Sequence, residues 1–175
     1  MNSKKIALCA IGVVFMIIGS YLSITLPFTR VPFTLQVFFL FLISLLFSYK
    51  ESFLIILSYL FLGIIGFPVF AGGRGGADVL FGPTGGYLYG FLISAPIISI
   101  ISNNEKKIIK FLGIVVGLLI IYSLGSIWLM YFMKIDYLKA LTLGVFPFIP
   151  FDFLKGIMAI FILKYLNKFK KEILL

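Results

Sequence analysis

Leu, Ile, Val and Phe fill this chain in stretches that lack both the strict alternation of a half-buried strand and the single apolar stripe of a surface helix. They fall at about residues 6–26, 35–49, 52–66, 84–102, 109–132 and 150–166, with polar residues gathered between them. A bilayer's hydrocarbon core is about 30 Å thick and offers backbone N–H and C=O groups no water, so such stretches must satisfy themselves as helices. The pattern predicts an all-α integral membrane protein. It has six transmembrane helices in one domain over 1–175, and an outer Gly-rich loop between the third and fourth. The first stretch, Ile6 to Leu26, exceeds the length of a signal-peptide core and no A-x-A site follows it, so it is expected to remain as a helix. The second and third stretches are short, about 22 Å of helix each at 1.5 Å per residue. Between them Tyr49-Lys50-Glu51-Ser52 reads as the polar hinge of a hairpin, with Lys50 snorkelling to the headgroups.

Composition agrees with that solvent: 62% of residues are hydrophobic, 12% are charged and the mean hydropathy is +1.18, against about 25% charged in soluble domains. The net charge of +9 is a matter of orientation. With six spans and a cytoplasmic N-terminus, the inner side collects Lys4, Lys5, Lys50, Lys106, Lys107, Lys110, Lys164, Lys168, Lys170 and Lys171, and the outer side Arg30, Arg74, Lys134 and Lys139. This inward excess of lysine predicts a multi-pass protein of the cell membrane, in contact with lipid, with both termini cytoplasmic. No basic stripe with interleaved aromatics is present, so no nucleic-acid partner is expected.

Several chemistries are excluded by absence. The chain has no His, which removes H-E-x-x-H zinc sites and His-based nucleophile systems, and no G-x-x-x-x-G-K-[ST] phosphate loop for ATP hydrolysis. The run Gly73-Arg74-Gly75-Gly76-Ala77-Asp78 has Asp where a dinucleotide fingerprint needs its third glycine. An intramembrane aspartyl protease needs two buried acids, and Asp152 alone qualifies. No enzyme, metal or cofactor is expected.

Three places break the apolar pattern. "FAGGRGGADVLFGPTGGYLYGF", Phe70 to Phe91, puts loose backbone beside apolar spans, and irregular backbone at membrane depth is tolerated where it lines a cavity or is buried in protein. Its glycines either bring backbone groups to a ligand or, as in Gly82-x-x-x-Gly86-x-x-x-Gly90, let helices pack closely. "FPFIPFDFLKGIMAIF", Phe146 to Phe161, starts a helix between Pro147 and Pro150, with Asp152 in its first turn and Lys155 on the same face. Charges this close to an apolar span either face a cavity or neutralise each other at the interface. "RVPFTLQVFF", Arg30 to Phe39, carries the chain's one glutamine, Gln36, behind Thr34 as the expected helix cap. On the predicted topology all three lie at outer helix ends and surround one pocket for a small molecule with polar and apolar parts.

These same blocks carry a family resemblance. "VPFTLQ" at 31–36, "GIIGFPVFAGGRGG" at 63–76, "GPTGGYLYGF" at 82–91 and "PFIPFDFLKG" at 147–156 resemble, in order and spacing, the signature blocks of BioY. BioY is the biotin-specific substrate-binding (S) subunit of energy-coupling factor (ECF) transporters. Phe151 departs from the Gly of that pattern, and Ala7 is followed by Ile11 where A-x-x-x-A is common. The resemblance implies a biotin receptor for uptake that works with a transmembrane coupling subunit and two ATPase subunits, with Asp152 and Lys155 at the biotin site. The same class with another vitamin, or a vitamin transporter acting without partners, are the alternatives. Laid against biotin, Asp152 can accept from ureido N–H groups, and Lys155 can donate to the carbonyl or balance the acid. Gln36 and Thr84 could complete the ring's bonds, Tyr87 could cover its face, and Arg74 near the mouth is the candidate for the carboxylate.

Overall fold

The computed structural model describes residues 3–104 and 106–174, with side chains described as far as 168. The chain is helical almost throughout. Helices α1 (Ser3–Tyr21), α2 (Gln36–Leu46), α3 (Tyr49–Ile64), α5 (Gly85–Ile101), α6 (Lys107–Met133) and α8 (Ile149–Leu174) overlap the six apolar stretches, and two short helices, α4 (Ala77–Leu80) and α7 (Tyr137–Gly144), fall in the connections. α1 and α6 are each long and apolar enough to cross a bilayer, α7 and α8 make a third such path broken by 49°, and α2 and α5 are shorter apolar helices. Apolar side chains point both ways. Leu40, Phe41, Ile56, Ala95, Ile98 and Ile114 are buried between helices, while Ile11, Val14, Leu119 and Phe161 are exposed on the outside, Leu119 by 61% and Phe161 by 63%. Exposed aliphatic and aromatic belts on this scale fit lipid and not water, so the fold is that of a helical membrane protein.

α1 stops at Tyr21 and not at Leu26. The chain turns there into a two-stranded hairpin, β1 (Ser23–Ile24) against β2 (Phe33–Thr34), in which Ser23 pairs with Thr34. The Leu35 amide reaches back to the Gly19 and Leu22 carbonyls, 3.1 Å from each. Hydropathy alone carries no mark of such a turn, because Leu22, Ile24 and Leu26 are as apolar as the helix before them. The expected hinge at Tyr49–Ser52 is instead the first turn of α3. Ser48 caps it, and its amide donates to Glu51 Oε2 at 3.0 Å in a capping box. Thr34 stands two residues before the start of α2 and not at the cap itself, which is Leu35, yet its Oγ1 accepts the Gln36 amide at 3.2 Å.

The glycines divide by position. In α5 a Cβ on Gly86 would collide with Leu124 and Trp128 of α6, and one on Gly90 would stand 2.9 Å from the Ile121 Cα. Their absence lets the two backbones approach. Trp128 Nε1 also donates to the Gly82 carbonyl at 2.8 Å. In the loop before α4, Gly72 and Gly73 sit at φ +74° and +70°, left-handed values that glycine adopts without strain. They reverse the chain so that the Phe70 amide meets the Arg74 carbonyl at 2.8 Å.

Candidate functional site

The hairpin, the glycine loop and the adjoining ends of α2, α5 and α8 enclose a cavity of about 370 Å³. Gln36, Arg74, Thr84, Tyr87, Asp152 and Lys155, the six residues singled out from the sequence, all line it.

Its floor is the start of α8. Pro150 occupies the second helical position, where its missing N–H is no loss, and the Asp152 amide closes the first turn on the Phe148 carbonyl at 2.9 Å. Asp152 Oδ1 accepts from Lys155 Nζ at 2.7 Å, and Oδ2 accepts from the Tyr122 hydroxyl of α6 at 2.8 Å. Lys155 Nζ also donates to the Thr34 carbonyl at 2.8 Å and lies 4.2 Å from the centre of the Phe33 ring. Asp152 and Lys155 are 3% and 6% exposed. A buried pair of this kind persists only when the remaining valences are met, and here three elements meet most of them. Each carboxylate oxygen keeps acceptor capacity, and the ammonium keeps one N–H. The two charges neutralise each other and line the cavity.

Gln36 is 5% exposed, so it is no surface amide. Its Nε2 donates to the Tyr59 hydroxyl at 2.7 Å. Tyr87 also lines the cavity, while its hydroxyl donates at 2.9 Å to the carbonyl of Gly144, the last residue of α7. Thr84 lies at the cap of α5, beside Pro83, on the cavity wall.

The mouth is formed by the glycine loop and the hairpin. Arg74 lies there, but its NH2 group is 3.2 Å from Asp78 Oδ2, both side chains being more than half exposed. Arg30, on the loop between β1 and β2, also lines the cavity and forms no ion pair among the described residues. Of the loop glycines, Gly72 lines the wall.

Two contributors escaped the sequence. Tyr122 sits in a 27-residue apolar helix, where a tyrosine reads as packing or lipid contact. Its only sequence signal is its place in a helix whose Gly117 and Gly125 mark a close-packed face. The Thr34 carbonyl is backbone, which composition cannot mark. Between apolar walls such as Val37, Leu88, Phe91 and Ile121, the polar groups can fix a compact, neutral, N–H-bearing ring at the floor and an anionic tail at the mouth.

A model of the BioY family matches residues 1–172. The biotin transporter BioY of Thermotoga maritima is 39% identical over 170 residues, covering 97% of this chain and 99% of that one. The probable biotin transporter BioY of Pyrococcus horikoshii is 40% identical over 167 residues, covering 95% and 98%. A solved S-component for biotin from an ECF-type ABC transporter has a TM-score of 0.88 at 28% identity, over 96% of this chain and 95% of that one. By sequence along nearly its whole length and by fold, the chain belongs to the BioY family.

Proposed function

We propose that this protein binds biotin from outside the cell and serves as the S component of an ECF-type ABC transporter, together with a transmembrane coupling subunit and two ATPase subunits. The observation that carries this reading is the neutral, hydrogen-bonded Asp152–Lys155–Tyr122 cluster at the bottom of an apolar-walled cavity. A cyclic urea offers two N–H donors and one carbonyl acceptor. Asp152 supplies acceptors and Lys155 a remaining donor, at a spacing set by one helical turn. The apolar thiophane ring suits the walls, with Tyr87 against it and with Gln36 and Thr84 in reach of the ring's polar edge. The carboxylate belongs at the mouth, where Arg74 and Arg30 stand. Orientation follows from the lysine count: both termini are cytoplasmic and the cavity opens outward in the cell membrane, as the positive-inside rule requires.

The direct test is equilibrium binding of radiolabelled biotin to the purified chain in detergent. Unlabelled biotin is expected to compete, and thiamin and riboflavin are not; competition by an unrelated vitamin at equal strength would reassign the ligand. Cysteines placed at Gly72 to Gly76, on a Cys9→Ser background, should react with an impermeant thiol reagent in intact cells. Labelling only after lysis reverses the orientation.

A further inference from the structure

Tyr59 is wholly buried in α3 and takes no part in the cavity wall, yet it touches both sides of the cavity. Its hydroxyl accepts from Gln36 Nε2 at 2.7 Å and donates to the Val69 carbonyl at 3.0 Å. Ser20 Oγ, also wholly buried, lies 2.6 Å from the same carbonyl. The ring of Tyr59 meets that of Phe70 edge-on, with centroids 5.5 Å apart, and Phe70 is part of the cavity wall. Gln36 enters the cavity from α2, and Phe70 begins the glycine loop. One side chain thus joins two walls that are distant in sequence.

The direction of these bonds determines the orientation of Gln36. A phenol has one proton, and a backbone carbonyl only accepts. With the Tyr59 proton directed to Val69, the hydroxyl can only accept from Gln36, so the amide must turn its NH2 group toward Tyr59. An amide whose nitrogen faces Tyr59 holds its oxygen on the other side, and that oxygen accepts no hydrogen bond among the described residues. We propose that Tyr59 is a positioning residue that locks the Gln36 amide so that its oxygen faces the cavity as an acceptor for a ligand N–H. It does so through the same hydroxyl that pins the glycine loop at Val69. Without the phenol the amide rotates, presenting a donor as readily as an acceptor. The site then loses part of its preference for N–H-bearing rings. This inference rests on the reading of the cavity as a biotin site and names the residue that orients one of its walls.

The test is a double-mutant cycle on biotin affinity with Tyr59→Phe, Gln36→Ala and the two combined. Melting temperature is followed in parallel. A neutral hydrogen bond lost from a site weakens binding by about 3- to 10-fold. Tyr59→Phe and Gln36→Ala should each show a loss in that range, and the double variant should lose no more than Gln36→Ala alone, because Tyr59 acts on ligand only through Gln36. Ser20→Ala, which removes the other contact to Val69 but none to Gln36, should leave affinity within twofold. Additive losses in the cycle overturn the inference, as does a Tyr59→Phe variant that melts earlier with biotin affinity intact. Should Tyr59→Phe not fold, Gln36→Met carries the test, since it keeps length without the amide. Unchanged biotin affinity in that variant also overturns the inference. If the unaltered protein binds no biotin, the functional reading itself fails. If it binds biotin and the cycle is additive, only the role of Tyr59 does.

Discussion

One ion pair lies at the floor of the cavity and another beside its mouth. At the floor, Lys155 and Asp152 are 2.7 Å apart with side chains 8% and 4% exposed; at the mouth, Arg74 and Asp78 are 3.2 Å apart with side chains 61% and 68% exposed. Both pairs lie one helical turn apart in sequence, and each sets one cation against an aspartate carboxylate. What differs is the surroundings. The floor pair is held by Tyr122, by the Thr34 carbonyl and by the Phe33 ring, and little of either side chain is exposed. The mouth pair is solvated, screened by salt and tied to a loop. Exposed pairs contribute about 0–1 kcal/mol, whereas breaking a buried pair by removing one partner costs about 3–5 kcal/mol. In the proposed function the floor serves as fixed scaffold and recognition surface together, and the mouth as an adjustable counter-charge.

The largest expected effect comes from taking one charge out of the floor. Lys155→Met leaves the Asp152 carboxylate buried with only Tyr122 to donate to it. The protein in detergent should be destabilised by about 3 kcal/mol, the low end of that range because the cavity admits water, and should no longer bind biotin measurably. Thermal unfolding with and without ligand checks both; an unchanged melting curve means that the pair is not part of the scaffold. A smaller effect is expected for Tyr122→Phe, which removes one O–H donor from Asp152 and leaves the charge balance alone. Biotin affinity should weaken by about 3- to 10-fold with little change in melting. Equal affinity would place Tyr122 outside the recognition cluster. The smallest effect, and of opposite sign, belongs to the mouth. Asp78→Asn releases Arg74 from its carboxylate partner, so a ligand carboxylate no longer competes for the guanidinium. Affinity for biotin should rise by about two- to threefold at low salt and the gain should vanish near 1 M, where the screening length is about 3 Å. A loss of affinity on this substitution would mean that Asp78 itself serves the ligand.

The difference between floor and mouth also explains what the sequence made legible. Asp152 and Lys155 were visible because ionisable residues beside an apolar span are expensive, and the glycine loop because irregular backbone there needs a cavity or a protein cover. Gln36 stands out as the chain's one glutamine. Tyr122 does not, since a tyrosine in a long apolar run satisfies packing, lipid contact and hydrogen bonding equally well, and only its 2.8 Å contact with Asp152 decides among them. Arg74 was placed at the mouth, but its pairing with Asp78 depends on where α4 begins, and four residues of helix inside a glycine-rich loop leave no periodicity to read. α7 was missed for a similar reason: eight residues, capped by Asp136, whose Oδ1 accepts the Lys139 amide at 2.9 Å. The S-x-x-E cap at Ser48 to Glu51 is present in the sequence and marks a helix start, but it overlaps Tyr49-Lys50-Glu51-Ser52, whose polar character reads as a hinge. The division of the glycines between loop and helix interface was open as a pair of alternatives. Gly86 and Gly90 hold the packing role, and of the loop glycines Gly72 lines the cavity.

Binding of radiolabelled biotin to Asp152→Asn beside the unaltered protein, with folding checked by melting and size-exclusion profile, tests the floor most directly. Asn keeps the shape and the Tyr122 contact but lacks the anion that ureido N–H groups and Lys155 both use. Hydrogen bonds to charged groups contribute about 1.5–3 kcal/mol each. Affinity should therefore fall by about 10- to 150-fold in a protein that remains folded. A folded Asp152→Asn variant that binds biotin as tightly as the unaltered protein would contradict the assignment of the floor as the recognition surface and move the ligand toward the glycine loop.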